Sequence, residues 1–453
     1  MTKTDVLVIG SSAAGLVAAV TGKTINPDKD FTVVRKEEKT LVPCGIPYFT
    51  GSDQTTDQNI MPSDKIFEDA GVNLIIGEAA SIDKDNKTCK LKNGEEISFE
   101  KLVLATGSSP VKPGWLKGSD LKNVFVIPKD KVYLDKMQIK LKECKKIIVI
   151  GAGFIGVEIS DELNQDKKDV TLVEKLPNIL GLAFDRELSI KAEEVLKKRG
   201  VKIKTGVGVK EITGTDKATG ILLDNGDTME ADAIFISMGY RPNIDLAKTS
   251  GINITETGFI QVDEYMRTTA PDIFAVGDCA EKRDFFTRKP SNIMLAATAC
   301  AEARTAGMNL FKLSAVKTFS GTISIFSTAI GNTAFGVAGL TEARAIEEGF
   351  DIITATFEGM DKHPGTLPNT NKQIVKLIAG KEAGRILGGE VIGGPSTGEL
   401  INTIGFIIQN RMDINSLLTS QIGTHPLLTG SPAGYPLIKA AEVAAKKRLG
   451  LIK

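Results

Sequence analysis

The chain has 453 residues, 42% hydrophobic and 25% charged, which is ordinary globular usage and argues against a disordered chain or a coiled coil. Lysine plus arginine (56) balance aspartate plus glutamate (56), so the zero net charge provides no overall attraction for nucleic acid or an anionic membrane. The apolar runs are too short to cross a bilayer, and the first ten residues lack the apolar core of a secretion signal. We therefore expect a cytoplasmic protein of about three domains, with no nucleic-acid or membrane partner.

Cysteine and histidine counts narrow the chemistry further. An odd number of irregularly spaced cysteines argues against a disulfide framework and for a reducing compartment; they are Cys44, Cys89, Cys144, Cys279 and Cys300. With only two histidines and no CxxC pair, we expect no metal site.

The first elements predict a β-strand–helix–β-strand unit. Asp5–Ile9 has the composition of a buried strand, a helix of small residues runs from about Ala13 to Lys23, and Phe31–Val34 is a second strand.

The turn of this unit departs from the GxGxxG pattern of dinucleotide-binding folds. It reads Gly10-Ser11-Ser12-Ala13-Ala14-Gly15, with Ser12 in the place of the second glycine. Arg35 and Lys36 end the second strand, where an acid that binds a ribose is expected. Taken alone, this turn would be rejected as a nucleotide-binding site, or Arg35 and Lys36 would be assigned to binding a 2′-phosphate.

A second unit of the same kind begins 141 residues later (151 − 10) and has the full pattern. The strand Lys146–Ile150 leads to the turn Gly151-Ala152-Gly153-Phe154-Ile155-Gly156, a helix to about Gln165 and the strand Val170–Val173. The spacing indicates duplication of a whole domain rather than a solenoid repeat.

Each residue of the second motif has a physical role. Gly151 permits the tight turn, Gly153 lets backbone N–H groups approach a pyrophosphate, and Gly156 lets the helix pack closely on the strand. Glu174, 23 residues after Gly151, is placed to bind a ribose 2′-hydroxyl. Its charge would repel a 2′-phosphate, so NADH is favoured, while the neighbouring Lys175 leaves NADPH open.

Both units end in a strand that runs into a turn. Lys101–Leu104 precedes Ala105-Thr106-Gly107, and 232–238 precedes Gly239-Tyr240-Arg241-Pro242-Asn243. A later apolar strand, within Thr268–Asp278, delivers Asp278 directly after Gly277. A remote acid at a strand end suits a longer cofactor with a ribityl chain, which restores the first unit as a cofactor site.

The composition changes again from about residue 322. Segments 372–378 and 385–392 flank a Gly-Lys-Glu-Ala-Gly turn and predict a hairpin, and helices are expected at about 396–410 and 434–448.

Together, the two units, the strand-end turns and the 268–278 segment resemble the FAD- and NAD(P)H-dependent pyridine nucleotide–disulfide oxidoreductases over essentially the whole chain. The resemblance implies an α/β, glutathione-reductase-like fold with two Rossmann-like dinucleotide-binding domains and a C-terminal α+β dimerisation domain, assembled as a homodimer. The FAD domain would comprise residues 1–112 and 245–321, the NAD(P)H domain 113–244, and the dimerisation domain 322–453.

The resemblance also implies FAD and NADH as cofactors, with NADPH as an alternative. Asp278 would hold the FAD ribityl hydroxyls and Glu158 would lie near the nicotinamide, while the residue replacing the usual ribose-binding acid at Arg35 stays open. The expected cofactor contacts are Gly10, Ser12, Ala13, Ala14, Gly15, Arg35, Lys36, Pro43, Ala105, Thr106, Gly107, Gly151, Gly153, Phe154, Ile155, Gly156, Glu158, Glu174, Lys175, Gly239, Gly277 and Asp278.

Cys44, in the run Leu41–Tyr48, is the expected chemical centre, because a loop after the second strand can bring it under a bound flavin. No second cysteine stands at CxxxxC spacing, so Cys44 must cycle with an external sulfur, as a mixed disulfide or persulfide, or with oxygen, as a sulfenic acid. It must be a thiolate to attack sulfur, and we expect a helix N-terminus or the flavin to lower its pKa. We expect structural roles for the other four cysteines.

The Cys-Gly-Ile-Pro-Tyr run resembles the single-cysteine branch of the family, which holds coenzyme A disulfide reductases, polysulfide or persulfide reductases, NADH oxidases and NADH peroxidases. The oxidases and peroxidases carry a histidine at the position of Ala13, so its absence favours a sulfur substrate. Coenzyme A disulfide reductases of this branch carry basic side chains along the first helix that hold phosphates. Only Lys23 matches them here, which favours a smaller persulfide or polysulfide over coenzyme A disulfide. An NADH oxidase and a reductase of a small electron-transfer protein stay as alternatives.

Two C-terminal residues are candidate proton donors. Thr424–Leu428 matches the family's His-Pro segment, which implies that His425 reaches the partner subunit's active site, although the supporting glutamate is replaced by Gly430. Tyr435 is the alternative donor, and His363 is expected to be a surface residue.

Overall fold

The computed structural model describes residues 2–50, 55–316 and 318–452. The first part of the chain forms β1 (Thr2–Ile9), α1 (Ala13–Ile25), β2 (Phe31–Arg35), a 3₁₀ helix (Pro43–Phe49), a 3₁₀ turn (Thr56–Asn59), α2 (Ser63–Ala70), β3 (Asn73–Ile76), β4 (Ala79–Asp83), β5 (Thr88–Leu91), β6 (Glu96–Leu104) and β7 (Ser108–Pro110).

The middle of the chain forms β8 (Val124–Phe125), α3 (Lys131–Leu141), β9 (Lys146–Ile150), α4 (Phe154–Gln165), β10 (Asp169–Val173), α5 (Arg186–Arg199), β11 (Lys202–Lys204), β12 (Val209–Gly214), β13 (Ala218–Leu223), β14 (Thr228–Glu230), β15 (Ala233–Ile236), β16 (Tyr240–Pro242) and α6 (Asp245–Thr249). It is followed by β17 (Ile273–Ala275), a 3₁₀ turn (Gly277–Cys279) and α7 (Ala296–Met308).

The C-terminal part forms β18 (Phe326–Ile330), β19 (Thr333–Gly339), α8 (Glu342–Glu347), β20 (Ile352–Met360), β21 (Lys372–Gly380), β22 (Ile386–Gly393), α9 (Thr397–Gln409), α10 (Ile414–Leu418), a 3₁₀ turn (Pro432–Gly434) and α11 (Pro436–Arg448).

The first sheet has the strand order β3-β2-β1-β6-β5-β4, and β17 pairs in parallel with β6. The central strands β1 and β2 are parallel and largely buried, as their continuous apolar sequences require when helices cover both faces. Since β17 comes from beyond residue 244, the chain leaves this sheet and later returns to it.

The second sheet has the order β11-β10-β9-β15-β8, with all neighbours parallel, and β12–β14 form a separate antiparallel sheet. Strands β7 and β16 pair with each other and connect the two units. The predicted pair of Rossmann-like units is confirmed.

The C-terminal sheet is antiparallel, in the order β18-β19-β22-β21-β20. The predicted hairpin is β21–β22, and the predicted helices are α9 and α11. Their apolar side chains pack on this sheet, with Ile401, Ile404 and Ala440 buried in one cluster.

Two further predictions meet the structure here. His363, expected at the surface, is half-buried, and its Nδ1 lies 2.9 Å from the carbonyl oxygen of Thr429. Within residues 2–50, 55–316 and 318–452, no helix has the length and apolarity needed to cross a membrane.

Candidate active site

The first glycine turn leaves no room for side chains between β1 and α1. A Cβ on Gly10 would lie 2.2 Å from the carbonyl oxygen of Ala105, and one on Gly15 would lie 1.9 Å from that of Gly10. Gly10 also has φ +108°, which favours glycine. Among the described residues, Ser12 makes no capping hydrogen bond, so the first N–H groups of α1 can meet a phosphate.

The second turn has the same construction with an open cradle. A Cβ on Gly151 would lie 2.6 Å from the Ser237 carbonyl oxygen, and one on Gly156 1.9 Å from that of Gly151. At Gly153, by contrast, a Cβ would meet no described atom within 4 Å. Gly153 caps α4, which opens with Phe154 and Ile155, so its open side faces the space where a diphosphate would fit.

Glu174 directly follows β10 and also closes this turn. Its carboxylate accepts hydrogen bonds from the N–H groups of Ala152 (2.7 Å) and Leu176 (2.8 Å). Each oxygen keeps a second acceptor position, so a ribose hydroxyl fits beside them. Lys175 next to it is exposed.

Arg35 turns inward at the end of β2, with its side chain 1% exposed. Its guanidinium lies 2.5 Å from the Asp64 carboxylate and donates to the carbonyl oxygens of Glu37 (2.8 Å) and Glu38 (2.5 Å). The hydrogen bond from Arg35 lowers the pKa of Asp64 to about 2. Arg35 therefore holds the loop after β2, and its contact with FAD stays a prediction. The exposed Lys36 lies beside Glu37.

Asp278 is held by two residues that sequence reasoning missed. Its Oδ2 accepts from the Ser108 hydroxyl (2.7 Å) and from Lys129 Nζ (3.0 Å). Burial would raise the pKa of Asp278, but the charge of Lys129 and the bond from Ser108 outweigh it and lower the pKa. Ser108 could have been found, because it directly follows the Thr106–Gly107 turn, whereas Lys129 comes from a loop without a motif.

The two strand-end turns are joined to each other. The Thr106 hydroxyl donates to the carbonyl oxygen of Asn243 (2.6 Å), and the Asn243 amide returns a bond to that of Thr106 (2.9 Å). Gly107 (φ +69°) and Gly239 (φ +91°) have no described atom within 4 Å of an added Cβ. Both turns thus present bare backbone to open space, as a close-lying cofactor requires.

Cys44 lies in the 3₁₀ helix directly after Pro43, and its side chain is exposed. The protein atoms packed around the sulfur raise the pKa of this thiol, Glu158 raises it further, and Lys129 lowers it. The protein's own side chains thus raise this pKa, and its lowering by a helix N-terminus or by the flavin stays a prediction.

Glu158, on α4, connects three parts of the chain. Its Oε1 accepts from the Thr328 hydroxyl (2.8 Å), and Tyr48 forms a hydrogen bond with the same carboxylate. Burial raises the pKa of Glu158 to about 7. Nearby, the Phe154 ring stacks on Phe326 with ring centroids 5.1 Å apart. The motif around Cys44 predicts no role for Tyr48, and no sequence signal points to Thr328.

The other cysteines are not all equivalent. Cys89, Cys144 and Cys279 are buried, as expected of structural residues, but Cys300 is half-buried on α7. Cys300 lies close enough to Cys44 that its thiolate form raises the pKa of the Cys44 thiol. In the part of the chain that the structure describes, no group of three or more His, Cys, Asp or Glu residues could hold a metal ion.

The two candidate proton donors lie in the C-terminal domain. His425 is exposed, in the loop between α10 and α11, and its Nδ1 accepts from the N–H of Leu427 (3.2 Å). Tyr435 immediately precedes α11 and is half-buried against its core, which raises the pKa of its hydroxyl.

The protein has two dinucleotide cradles, a first sheet completed by a later strand, and an accessible cysteine. These features are typical of an oxidoreductase that depends on a flavin and a pyridine nucleotide. The chain belongs to the pyridine nucleotide–disulphide oxidoreductase family: residues 4–303 match that family and residues 325–433 match its dimerisation domain. Members of this family work with FAD and a pyridine nucleotide, so the predicted cofactors and family are confirmed.

Similar proteins fall in the single-cysteine group predicted from the sequence. An NADH oxidase of Methanocaldococcus jannaschii is 31% identical over 97% of this chain and 98% of its own. An NAD(P)H coenzyme A polysulfide/persulfide reductase of Pyrococcus horikoshii is 30% identical over 97% of this chain and 98% of its own. The structure of an NAD-dependent persulfide reductase from A. fulgidus superposes with a TM-score of 0.90 at 30% identity, over 99% of this chain and 84% of that one.

Proposed function

We propose that this chain uses NADH to reduce the sulfur–sulfur bond of a small persulfide or polysulfide, with coenzyme A disulfide as a further substrate, at Cys44. The observation that carries the proposal is the accessible Cys44 thiol, which lies within electrostatic range of Glu158, Lys129 and Asp278. Bound FAD would relay the electron pair from the nicotinamide to sulfur. The names of the persulfide reductases to which the chain is similar support a sulfur substrate.

The sulfur step balances without a second cysteine. The Cys44 thiolate attacks the outer sulfur of R–S–SH, forming Cys44–S–SH and releasing R–S⁻. Two electrons then cleave this new sulfur–sulfur bond, which returns the Cys44 thiolate and releases HS⁻. With a disulfide R–S–S–R, the same two steps release two R–S⁻ through a mixed disulfide on Cys44.

The remaining site residues would bind and orient the two cofactors. The glycine turns at Gly10 and Gly151 would hold the two diphosphates, and Asp278, fixed by Ser108 and Lys129, would hold the ribityl chain of FAD. Glu158 would lie beside the nicotinamide, and Glu174 would bind the adenosine ribose of NADH.

The C-terminal domain would supply the proton donor across a homodimer. The match to a dimerisation domain supports this assembly, in which His425 or Tyr435 of each chain would reach the other chain's Cys44. The free cysteines suit a cytoplasmic location.

The first helix favours a substrate smaller than coenzyme A. Lys23 Nζ donates to the carbonyl oxygens of Pro27 (3.0 Å) and Lys29 (2.8 Å), so the one basic residue of α1 stabilises the end of that helix. Its engagement there leaves it poorly placed to bind a phosphate.

Oxygen is the second candidate acceptor, favoured by similarity to an NADH oxidase. Ala13 gives no proton donor in the first glycine turn, where the oxidases of this family carry a histidine, and this argues against a sulfenic acid cycle.

Cys44→Ser and Cys300→Ser, assayed side by side, test the proposal. We expect Cys44→Ser to lose at least 100-fold (roughly 10² or more for a covalent catalyst) in anaerobic NADH-dependent polysulfide reduction, while Cys300→Ser keeps most of it. Retained polysulfide reduction in Cys44→Ser, or a wild-type rate that is dominated by oxygen when both acceptors are compared, would overturn the proposal.

A further inference from the structure

A buried ion pair lies directly behind the turn that carries Asp278. Glu302, on α7, has a side chain that is 0% exposed, and that of Lys282 is 1% exposed. Glu302 Oε1 lies 3.8 Å from Lys282 Nζ. Neither residue is part of a glycine turn, and neither is among the charged groups nearest the Cys44 thiol.

Both members of the pair bind the backbone of Gly277. Glu302 Oε2 accepts a hydrogen bond from the Gly277 N–H at 2.7 Å. Lys282 Nζ donates to the carbonyl oxygens of Gly277 (3.1 Å) and Ala280 (2.8 Å). Gly277 has φ +79°, and a Cβ there would lie 2.9 Å from that of Ala14 in the first glycine turn. The pair therefore fixes a left-handed residue between the FAD cradle and Asp278.

This arrangement is costly for the fold. Taking two charges out of water costs several kcal/mol per ion, and a well-packed apolar pair is often as stable. Glu302 Oε1 has no hydrogen-bond partner among the described residues, and burial raises the pKa of this carboxyl to about 7 although Lys282 opposes the shift. A cost of this kind is explained if the pair serves the site.

We propose that Glu302 and Lys282 are positioning residues that hold the Gly277–Asp278 turn in the conformation that binds the ribityl chain of FAD. This inference rests on the role proposed for Asp278, but not on the identity of the sulfur substrate. If this is so, loss of either charge should make FAD dissociate faster.

The chain contains a matched control. Glu390, on β22, is also 0% exposed, and its Oε2 lies 3.8 Å from Lys376 Nζ. Its Oε1 accepts one backbone hydrogen bond, from the N–H of Asp185 (2.8 Å), and its Oε2 has no hydrogen-bond partner among the described residues. The two glutamates thus share burial and pairing, but Glu390 lies in the C-terminal sheet rather than behind Asp278.

The test compares FAD release from the holoproteins of Glu302→Gln, Lys282→Met and Glu390→Gln. Release is followed by the rise of flavin fluorescence after dilution, and the thermal midpoint of each flavin-free protein is measured in parallel. We expect FAD to dissociate at least tenfold faster from Glu302→Gln and Lys282→Met, and within twofold of wild type from Glu390→Gln, with similar losses of thermal midpoint in the two glutamate variants. The double variant Glu302→Leu/Lys282→Met leaves no unpaired buried charge, so it should still fold, and it should release FAD at least tenfold faster.

Wild-type FAD release from the double variant would overturn the proposal, as would equal acceleration in Glu390→Gln. Because no sulfur substrate enters these measurements, failure of the proposed reductase activity would leave this result unchanged.

Discussion

The hydroxyl of Thr328 donates a hydrogen bond to the carboxylate of Glu158 at 2.8 Å. Thr328 lies on β18 of the C-terminal sheet, and Glu158 lies on α4, one turn beyond the second glycine cradle. Tyr48, from the helix of Cys44, binds the same carboxylate. One buried carboxyl group therefore couples the thiol, the nucleotide cradle and the C-terminal domain.

The ionisation of Glu158 should control flavin reduction near neutral pH. Burial raises the pKa of Glu158 to about 7, so the group is protonated below that pH and charged above it. If Glu158 lies beside the nicotinamide, as proposed above, its carboxylate would stabilise the positive charge that the nicotinamide gains on giving up hydride. We expect the stopped-flow rate of flavin reduction by NADH to rise roughly tenfold through pH 7, and this step to disappear in Glu158→Gln. A step that survives in Glu158→Gln would contradict this role.

Thr328→Val provides a graded version of the same experiment. The hydrogen bond from Thr328 lowers the pKa of Glu158 against the effect of burial. Removing the hydroxyl should therefore raise that pKa and move the midpoint of the pH profile upward, with the plateau at high pH retained. An unchanged or lower midpoint would show that a different group sets the profile.

The nucleotide units could be predicted because their information is local. A tight turn at Gly10 or Gly151 needs a positive φ. Its strand ends directly before the glycine, and its helix begins a few residues after it. The hairpin β21–β22 is local in the same sense. Such patterns reflect backbone geometry and burial that a short window of sequence contains.

The partners of the site residues could not be predicted in the same way. Asp278 meets Lys129 across 149 residues of chain, and Glu158 meets Thr328 across 170. Arg35 is predicted as a cofactor contact from its place at the end of β2, and no sequence pattern predicts its hydrogen bond to Asp64, 29 residues on. Tertiary packing decides such pairs, and spacing within the sequence carries no signal for them.

Lys129 should set the reactivity of the Cys44 thiol. Its charge lowers the pKa of Cys44 against burial and Glu158, so Lys129→Met should raise that pKa and slow alkylation by iodoacetamide roughly threefold at pH 8. Peptide mass spectrometry of the flavin-free protein would follow Cys44 alone. Lys131→Met is the control, because Lys131 pairs with Asp57 and Asp135 instead, and should leave the rate unchanged. Equal rates in wild type and Lys129→Met would refute the assignment.

Alanine substitutions at two glycines of the second cradle should affect different properties, NADH binding at Gly153 and stability at Gly156. Gly153 has φ −72° and open space at the Cβ position, so Gly153→Ala should fold normally but raise the KM for NADH roughly tenfold by crowding the diphosphate. In Gly156→Ala the methyl group would lie 1.9 Å from the Gly151 carbonyl oxygen, which should lower the free energy of unfolding by about 1–3 kcal/mol. Steady-state kinetics and thermal unfolding separate the two effects, and a normal KM in Gly153→Ala would exclude this cradle as the NADH site.

Another buried cation, Lys376, links the C-terminal domain to the nucleotide unit. Lys376, on β21, has a side chain that is 3% exposed. Four carboxylates lie within 4 Å of its Nζ, at 2.9, 2.6, 2.8 and 3.8 Å: those of Asp185, Glu187, Glu342 and Glu390. Asp185 and Glu187 come from the start of α5, so the cluster joins two domains through one lysine.

Removal of the Lys376 charge should therefore lower the stability of the fold strongly, and the size of this loss should depend on pH. Lys376→Met leaves the cluster without its cation and is expected to lower the free energy of unfolding by about 3–5 kcal/mol. Burial raises the pKa of Glu390 to about 8, so the folded protein binds this proton more tightly than the unfolded chain, and stability falls as pH rises from about 4.5 through 8. Without Lys376 this fall should steepen, and Lys376→Met should lose more stability at pH 8 than at pH 5.5 in thermal unfolding followed by circular dichroism. Lys372→Met, on the same strand but 72% exposed, should change little at either pH, and a loss in Lys376→Met no larger than in this control would contradict the prediction.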